Sequence, residues 1–199
     1  LFSSLVRFGD NEVDNKPLEE EIVIYSKTGI SFSDKNSVIP ASSIKGAIAH
    51  RVAYHYNKIN NQYEGKAKVG AENDAVYELF GDSAGSKIRS PKAGNVFLND
   101  LYYSTHEISN NKIFNHVAID RFTGGAVSGA LFSEKVSTLL SDSIKMSIYV
   151  RKDNYSGNVE KALENTIMDI CKGLLPLGGM VTKGNGIFTG TYKKNGIQF

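Results

Sequence analysis

Ile39-Pro40-Ala41-Ser42-Ser43-Ile44-Lys45-Gly46-Ala47 is the stretch on which the reading of the fold turns. A proline presets φ for a first helical turn and lacks only an N–H that the turn leaves unused. Ser42 or Ser43 supplies a side-chain oxygen for a cap, and Ile44, Ile48 and Val52 then recur at helical spacing to about Asn57. The same turn gathers free backbone N–H groups, two hydroxyls and the Lys45 cation, which is the makeup of an anion site. A plain cap accounts for the serines but not for Lys45, because the helix dipole disfavours a cation there.

Working outward, Leu1–Arg7 and Glu21–Tyr25 read as short strands, and Asn95–Tyr103 and Ile144–Val150 have strand composition. A short helix is expected over Asp74–Phe80, closed by Gly81, and an amphipathic one over Val159–Leu175 with Ala162, Ile167, Ile170 and Leu174 on one side. Residues 82–94, rich in Ser, Gly and Lys, read as a mobile loop, and a final strand is expected around Ile187–Tyr192. Residues 104–143 are too long for a plain hairpin loop, and such excursions carry function or stay disordered. The order predicts one α+β domain over 1–199 on the ferredoxin-like, RNA-recognition-motif plan βαββαβ, with an insertion at about 104–143.

Composition narrows the function. The 199 residues hold one Cys and no apolar run near the roughly 20 residues of a membrane span. Disulfide scaffolds, multi-thiolate zinc sites and membrane partners are thereby set aside, and a reducing, cytoplasmic setting is expected. The start at Leu1, without an initiator Met, is that expected of a trimmed chain or a fragment of a longer effector. A net charge of +2 argues against a polyanion partner only until it is mapped. Residues 10–21 hold six acids and one Lys, a local charge of −5, so the remainder carries about +7. Glycine is likewise concentrated: of 19, five fall in 178–190 and three in 124–129. Such density serves tight turns or the close approach of a backbone to a ligand.

Several motifs fail on context. Ser42–Lys45 fits S-x-x-K and Lys27–Gly29 is K-T-G, but the order is reversed from that of penicillin-binding enzymes. Gly184-Asn185-Gly186 leads into a strand, the reverse of a dinucleotide turn, and no P-loop is present. His116 and Asp120 have no third metal ligand nearby in sequence, and Cys171 reads as a small core residue. What remains suits RNA: the α-helical start, Thr182 and Lys183 in the glycine loop, and Arg121-Phe122 beside Thr123-Gly124-Gly125, where cation and aromatic suit unstacked bases.

Four of these segments carry a resemblance. Ile39–Ala47 resembles the I-P-G-S-S-L-K-G signature of the RAMP superfamily of CRISPR-associated proteins, with Ala41 in place of the usual Gly. His116-Val-Ala-Ile-Asp-Arg-Phe-Thr-Gly-Gly-Ala126 with Gly129–Phe132 is similar to the thumb region of type III backbone subunits. Leu177–Ile187 looks like the superfamily's glycine-rich loop, and Leu79-Phe80-Gly81 also matches in order.

The resemblance implies a CRISPR guide-RNA-binding backbone subunit of a type III effector, with guide RNA, target single-stranded RNA and other RAMP subunits or modules as partners. By position, Ser42, Ser43, Lys45 and Arg51 would face guide phosphates, with Gly178, Gly179, Thr182 and Lys183 opposite. His116, Arg121, Phe122 and Thr123 would belong to the thumb, with Asp120 orienting Arg121. Target-cleaving members also carry a catalytic Asp before the signature helix. Asp14 fits that position best, holding Mg2+ or Mn2+, with Asp10 and Asp34 as alternatives. A precursor-processing endoribonuclease, using a His such as His50 or His116, and a non-catalytic scaffold subunit are the competing readings.

Overall fold

The computed structural model describes residues 13, 14, 16–83, 88–103, 108–139, 144–151 and 155–198, without the side chains of 108–111 and 139. The expected strand Leu1–Arg7 and the candidate Asp10 lie outside these residues. In chain order the elements are β1 (Leu18–Glu20), β2 (Val23–Ser26), β3 (Gly29–Phe32), β4 (Asn36–Ile39), α1 (Ala41–Ile59), α2 (Asp74–Phe80), β5 (Val96–Leu98), β6 (Leu101–Tyr103), β7 (Ile108–His116), β8 (Phe132–Leu139), β9 (Ile148–Val150), α3 (Gly157–Cys171), β10 (Lys193–Lys194) and β11 (Ile197–Gln198). The architecture is α+β, and β4–α1–β5–β9–α3 followed by a bridge at Thr189 traces βαββαβ.

The chain resolves into two compact units that alternate along the sequence. One comprises Leu1–Pro40, Asp100–Lys145 and Gly178–Gly186. Its three-stranded sheet runs β1-β4-β6, all antiparallel, with Val38 paired to Leu18 on one side and Tyr102 on the other. Val38, Ile39 and Tyr103 are buried. A separate ribbon pairs β2 with β3 through the two-residue turn Lys27-Thr28, with Gly29 opening β3 opposite Ser26, so the K-T-G triplet is hairpin punctuation. The long excursion is the β7–β8 ribbon, paired from Ile108–Leu139 to His116–Phe132, with Val136 buried on β8.

The other unit comprises Ala41–Asn99, Met146–Leu177 and Ile187–Phe199. Helix α1 packs on α3, and α2 on α1. Ile44, Ile48 and Val52 are fully buried, as their spacing predicts. On α3 the buried face is Val159, Ala162, Leu163, Thr166 and Ile170; Ile167 is half-buried, and Leu174 is exposed beyond the helix. Helix α2 is capped by Asn73, whose Oδ1 accepts from Ala75 and Val76 at 3.1 and 3.3 Å. It stops at Gly81, φ +78°, where an added Cβ would lie 2.1 Å from the Lys92 carbonyl oxygen. The loop that follows is tied where described: Asp82 and Lys92 exchange backbone hydrogen bonds, and Arg89 meets Asp74 at 2.6 Å. β5 pairs antiparallel with β9. The expected last strand is reduced to the Lys172–Thr189 bridge, followed by the β10–β11 hairpin.

Candidate nucleic-acid interface

The glycine loop and the His116–Phe132 end of the β7–β8 ribbon belong to one unit, and they touch. Met180 and Gly184 both take left-handed backbone and bracket a 3-10 turn over Val181–Lys183, which leaves Thr182 and Lys183 exposed. Gly184, at φ +86°, is where this loop needs glycine's freedom. Gly178 precedes the turn, exposed at φ +103°, while Gly179 is buried. The Lys183 ammonium lies 3.2 Å from His116 Nδ1 and 4.7 Å from the Phe132 ring centroid. An ammonium only donates, so Nδ1 accepts and the ring proton sits on Nε2. That Nε2 faces Glu134 Oε2 at 3.2 Å, and the ring stacks on Phe132 with centroids 4.7 Å apart.

At that same end of the ribbon, residues 117–131 run from His116 to Phe132 as an ordered turn. Asp120 accepts from the Phe122 N–H at 3.1 Å and from the Thr123 hydroxyl at 2.8 Å, and Gly124 donates to the Asp120 carbonyl. The Phe122 amide and the Thr123 hydroxyl hold the Asp120 carboxyl below the ordinary carboxylate range. Asp120 therefore builds the turn that displays Arg121 and Phe122, and its described bonds go to Phe122 and Thr123 and not to Arg121, the partner expected for it. Phe122 is 99% exposed. The turn spends its internal hydrogen bonds on presenting an aromatic ring to solvent.

Of the three candidate acids, Asp14 meets the ribbon. Its Oδ2 accepts from the Ser133 N–H at 2.7 Å and the Ser133 hydroxyl at 3.1 Å, and its own N–H donates to Ser133 Oγ at 3.0 Å. Asp34 is exposed between β3 and β4, its carbonyl accepting from Ser33 and Asn36. Among the described residues no three His, Cys, Asp or Glu side chains gather to hold a metal. A single anchored carboxylate does not make a resident metal centre. It does fit the manner in which Mg2+ is held against RNA, by one or two carboxylates, retained waters and phosphate oxygens.

The helix signature lies in the other unit. α1 begins at Ala41, so Ser42 and Ser43 are exposed in its first turn and neither is the cap residue; Lys45 is half-buried. Gly46 shares their face, and a Cβ there would meet none of the described residues within 4 Å. Arg51 is drawn inward: its Nε donates to Asp169 Oδ2 at 2.6 Å, and its guanidinium lies 4.7 Å from the Tyr54 ring. His55 Nε2 shares that oxygen at 2.7 Å. Arg51 thus braces α1 on α3, a role its sequence position did not suggest.

Reading the sequence alone missed Glu134, Asn185, Ser133 and Asp169. Glu134 left one usable signal: it alternates with Val136 on β8, a charged residue at a core-facing position. Among the described residues no helix is long and apolar enough to cross a membrane. No curated protein matches the chain. A sequence model of the RAMP superfamily matches residues 29–189, about four-fifths of its length. That span takes in the signature helix, the ribbon with its displayed Phe122 and the glycine loop, and the chain belongs to the RAMP superfamily of CRISPR-associated, RNA-binding proteins.

Proposed function

We propose that the chain is a guide-RNA-binding backbone subunit of a type III RNA-targeting effector, or one such module of a larger fused effector, that cleaves target RNA with a divalent metal through Asp14. One observation supports it above others: the ribbon end fastened to the glycine loop through His116 and Lys183 carries the turn that displays Arg121 and a 99% exposed Phe122. Aromatic and guanidinium groups stack on bases whatever their identity, which suits a subunit whose sequence reading is done by guide pairing. Lys183, with Thr182 and the turned backbone beside it, suits phosphate oxygens. Asp14 is fixed by Ser133 at that same ribbon end, and Mg2+ or Mn2+ held there would neutralise charge developing on a phosphate.

The processing-endoribonuclease reading needs a His free for proton transfer. Both ring nitrogens of His116 are engaged, and His55 Nε2 is bound to Asp169, so among the described residues exposed His50 is its candidate, while His106 lies outside them. The deciding test is cleavage of a guide-paired target RNA by the assembled complex, with and without EDTA. Wild-type cleavage is expected to stop in EDTA and to fall by about two orders of magnitude in Asp14→Ala, with guide binding retained. Cleavage that survives Asp14→Ala, Asp10→Ala and Asp34→Ala removes the catalytic assignment. Metal-free cutting that depends on His50 favours processing.

A further inference from the structure

Glu134 poses a problem that RNA binding alone does not answer. It is 1% exposed on β8, yet a carboxylate taken out of water costs stability unless its lone pairs are met. Two groups meet them: His116 Nε2 from β7 at 3.2 Å, and Asn185 Nδ2 from the glycine loop at 3.4 Å. An acceptor on Nε2 fixes which nitrogen carries the proton, as carboxylates fix the tautomer of metal-bound or catalytic histidines. With the proton on Nε2, the Nδ1 lone pair is turned to Lys183 at 3.2 Å, and Phe132 supports both the imidazole face and the ammonium. Without that acceptor, His116 is free to carry its proton on Nδ1, which would set two donors against each other.

We infer that Glu134 is a positioning residue: through His116 it aims the Lys183 ammonium at RNA phosphate and so couples the ribbon to the glycine loop. The inference rests on the reading of Lys183 as a phosphate contact. A carboxylate buried only for stability has no reason to end its chain of hydrogen bonds on an exposed lysine of another segment. Here the chain runs Asn185, Glu134, His116, Lys183, from the buried part of the glycine loop back to its exposed turn.

The test is a double-mutant cycle on the full chain, read as affinity for a fluorescein-labelled single-stranded RNA. Lys183→Ala alone is expected to weaken binding about tenfold and to flatten the dependence of log K on log salt by about 0.7. Glu134→Leu keeps the core filled while removing the acceptor, and should weaken binding by a similar factor. Glu134→Gln keeps an acceptor oxygen and should recover most of the loss. In the Lys183→Ala background, Glu134→Leu should change nothing further. Equal losses from Glu134→Leu with and without Lys183 overturn the relay, as does a Glu134→Leu protein that binds like wild type while Lys183→Ala does not. Indifference of RNA binding to Lys183→Ala instead defeats the phosphate reading and the relay with it. Should Glu134→Leu not fold, His116→Phe keeps the stack on Phe132 without either nitrogen and must show the same loss. Imidazole 15N shifts give an independent readout: His116 as the Nε2–H tautomer in wild type, and a shift away from it in Glu134→Leu.

Discussion

Asp169 shows how one side chain holds a helix pair. Burial pushes its carboxyl up, but hydrogen bonds from His55 and Arg51 and their charge outweigh that and hold it below the ordinary carboxylate range. A carboxyl depressed in the folded state contributes stability above its unfolded value, near 3.9, and that contribution is lost as pH falls from there through the lowered folded value. Asp169→Asn should therefore cost about 3 kcal/mol at neutral pH. Thermal melts taken between about pH 7 and pH 3 should show the gap to wild type closing in acid, and a gap that stays constant contradicts the ion-pair account. Phe122 is the opposite case. Being 99% exposed, it should tolerate Ala within about 0.5 kcal/mol of stability, while RNA affinity falls by the roughly 1–3 kcal/mol that a stacked base contributes. A Phe122→Ala protein that melts and binds like wild type would remove the stacking role.

At the level of elements, two glycines separate folding from binding. Gly46 sits in a helix, where glycine costs about 0.5–1 kcal/mol against alanine, and none of the described residues comes within 4 Å of the place a Cβ would take. On the proposed reading of the first turn of α1 as a guide contact, Gly46→Ala is expected to raise the urea midpoint and yet weaken RNA binding, because the added methyl would stand on that face. Gly81→Ala should lower stability by more than about 2 kcal/mol, since backbone lies 2.1 Å from the new atom. Stabilisation of Gly46→Ala with unchanged RNA binding would return that glycine to chance. Helix α1 was legible in sequence from its Pro start and the Ile44, Ile48, Val52 spacing, and α2 from its stop at Gly81. The β4 strand and the second arm of the β2–β3 ribbon were not, because they open on the turn-type residues Asn36-Ser37 and Gly29, where β2, of the same length, carries Val23-Ile24-Tyr25 in line. The predicted face of α3 was rotated, since Val159, Leu163 and Thr166 line the core where Ile167 and Leu174 were expected to. The ribbon showed only as an excursion too long for a loop. Its fastening to Lys183 spans 67 residues of sequence, and that of Arg51 to Asp169 spans 118, separations at which no local pattern operates.

For the whole molecule, a charge of +2 conceals a partition of about −5 in residues 10–21 and about +7 elsewhere. A basic surface that meets RNA by its backbone gives sequence-independent affinity that weakens steeply with salt. Cleavage, by contrast, should depend on Asp14 and on metal and leave affinity intact, so binding and cutting are separable by single substitutions. The most direct test of the account is the salt dependence of RNA binding by wild type, Lys45→Ala and Lys183→Ala. Each substitution is predicted to lower affinity and to reduce the slope of log K against log salt by about 0.7, the share of one phosphate contact on a single strand. RNA binding with unchanged affinity and slope in both variants would contradict it.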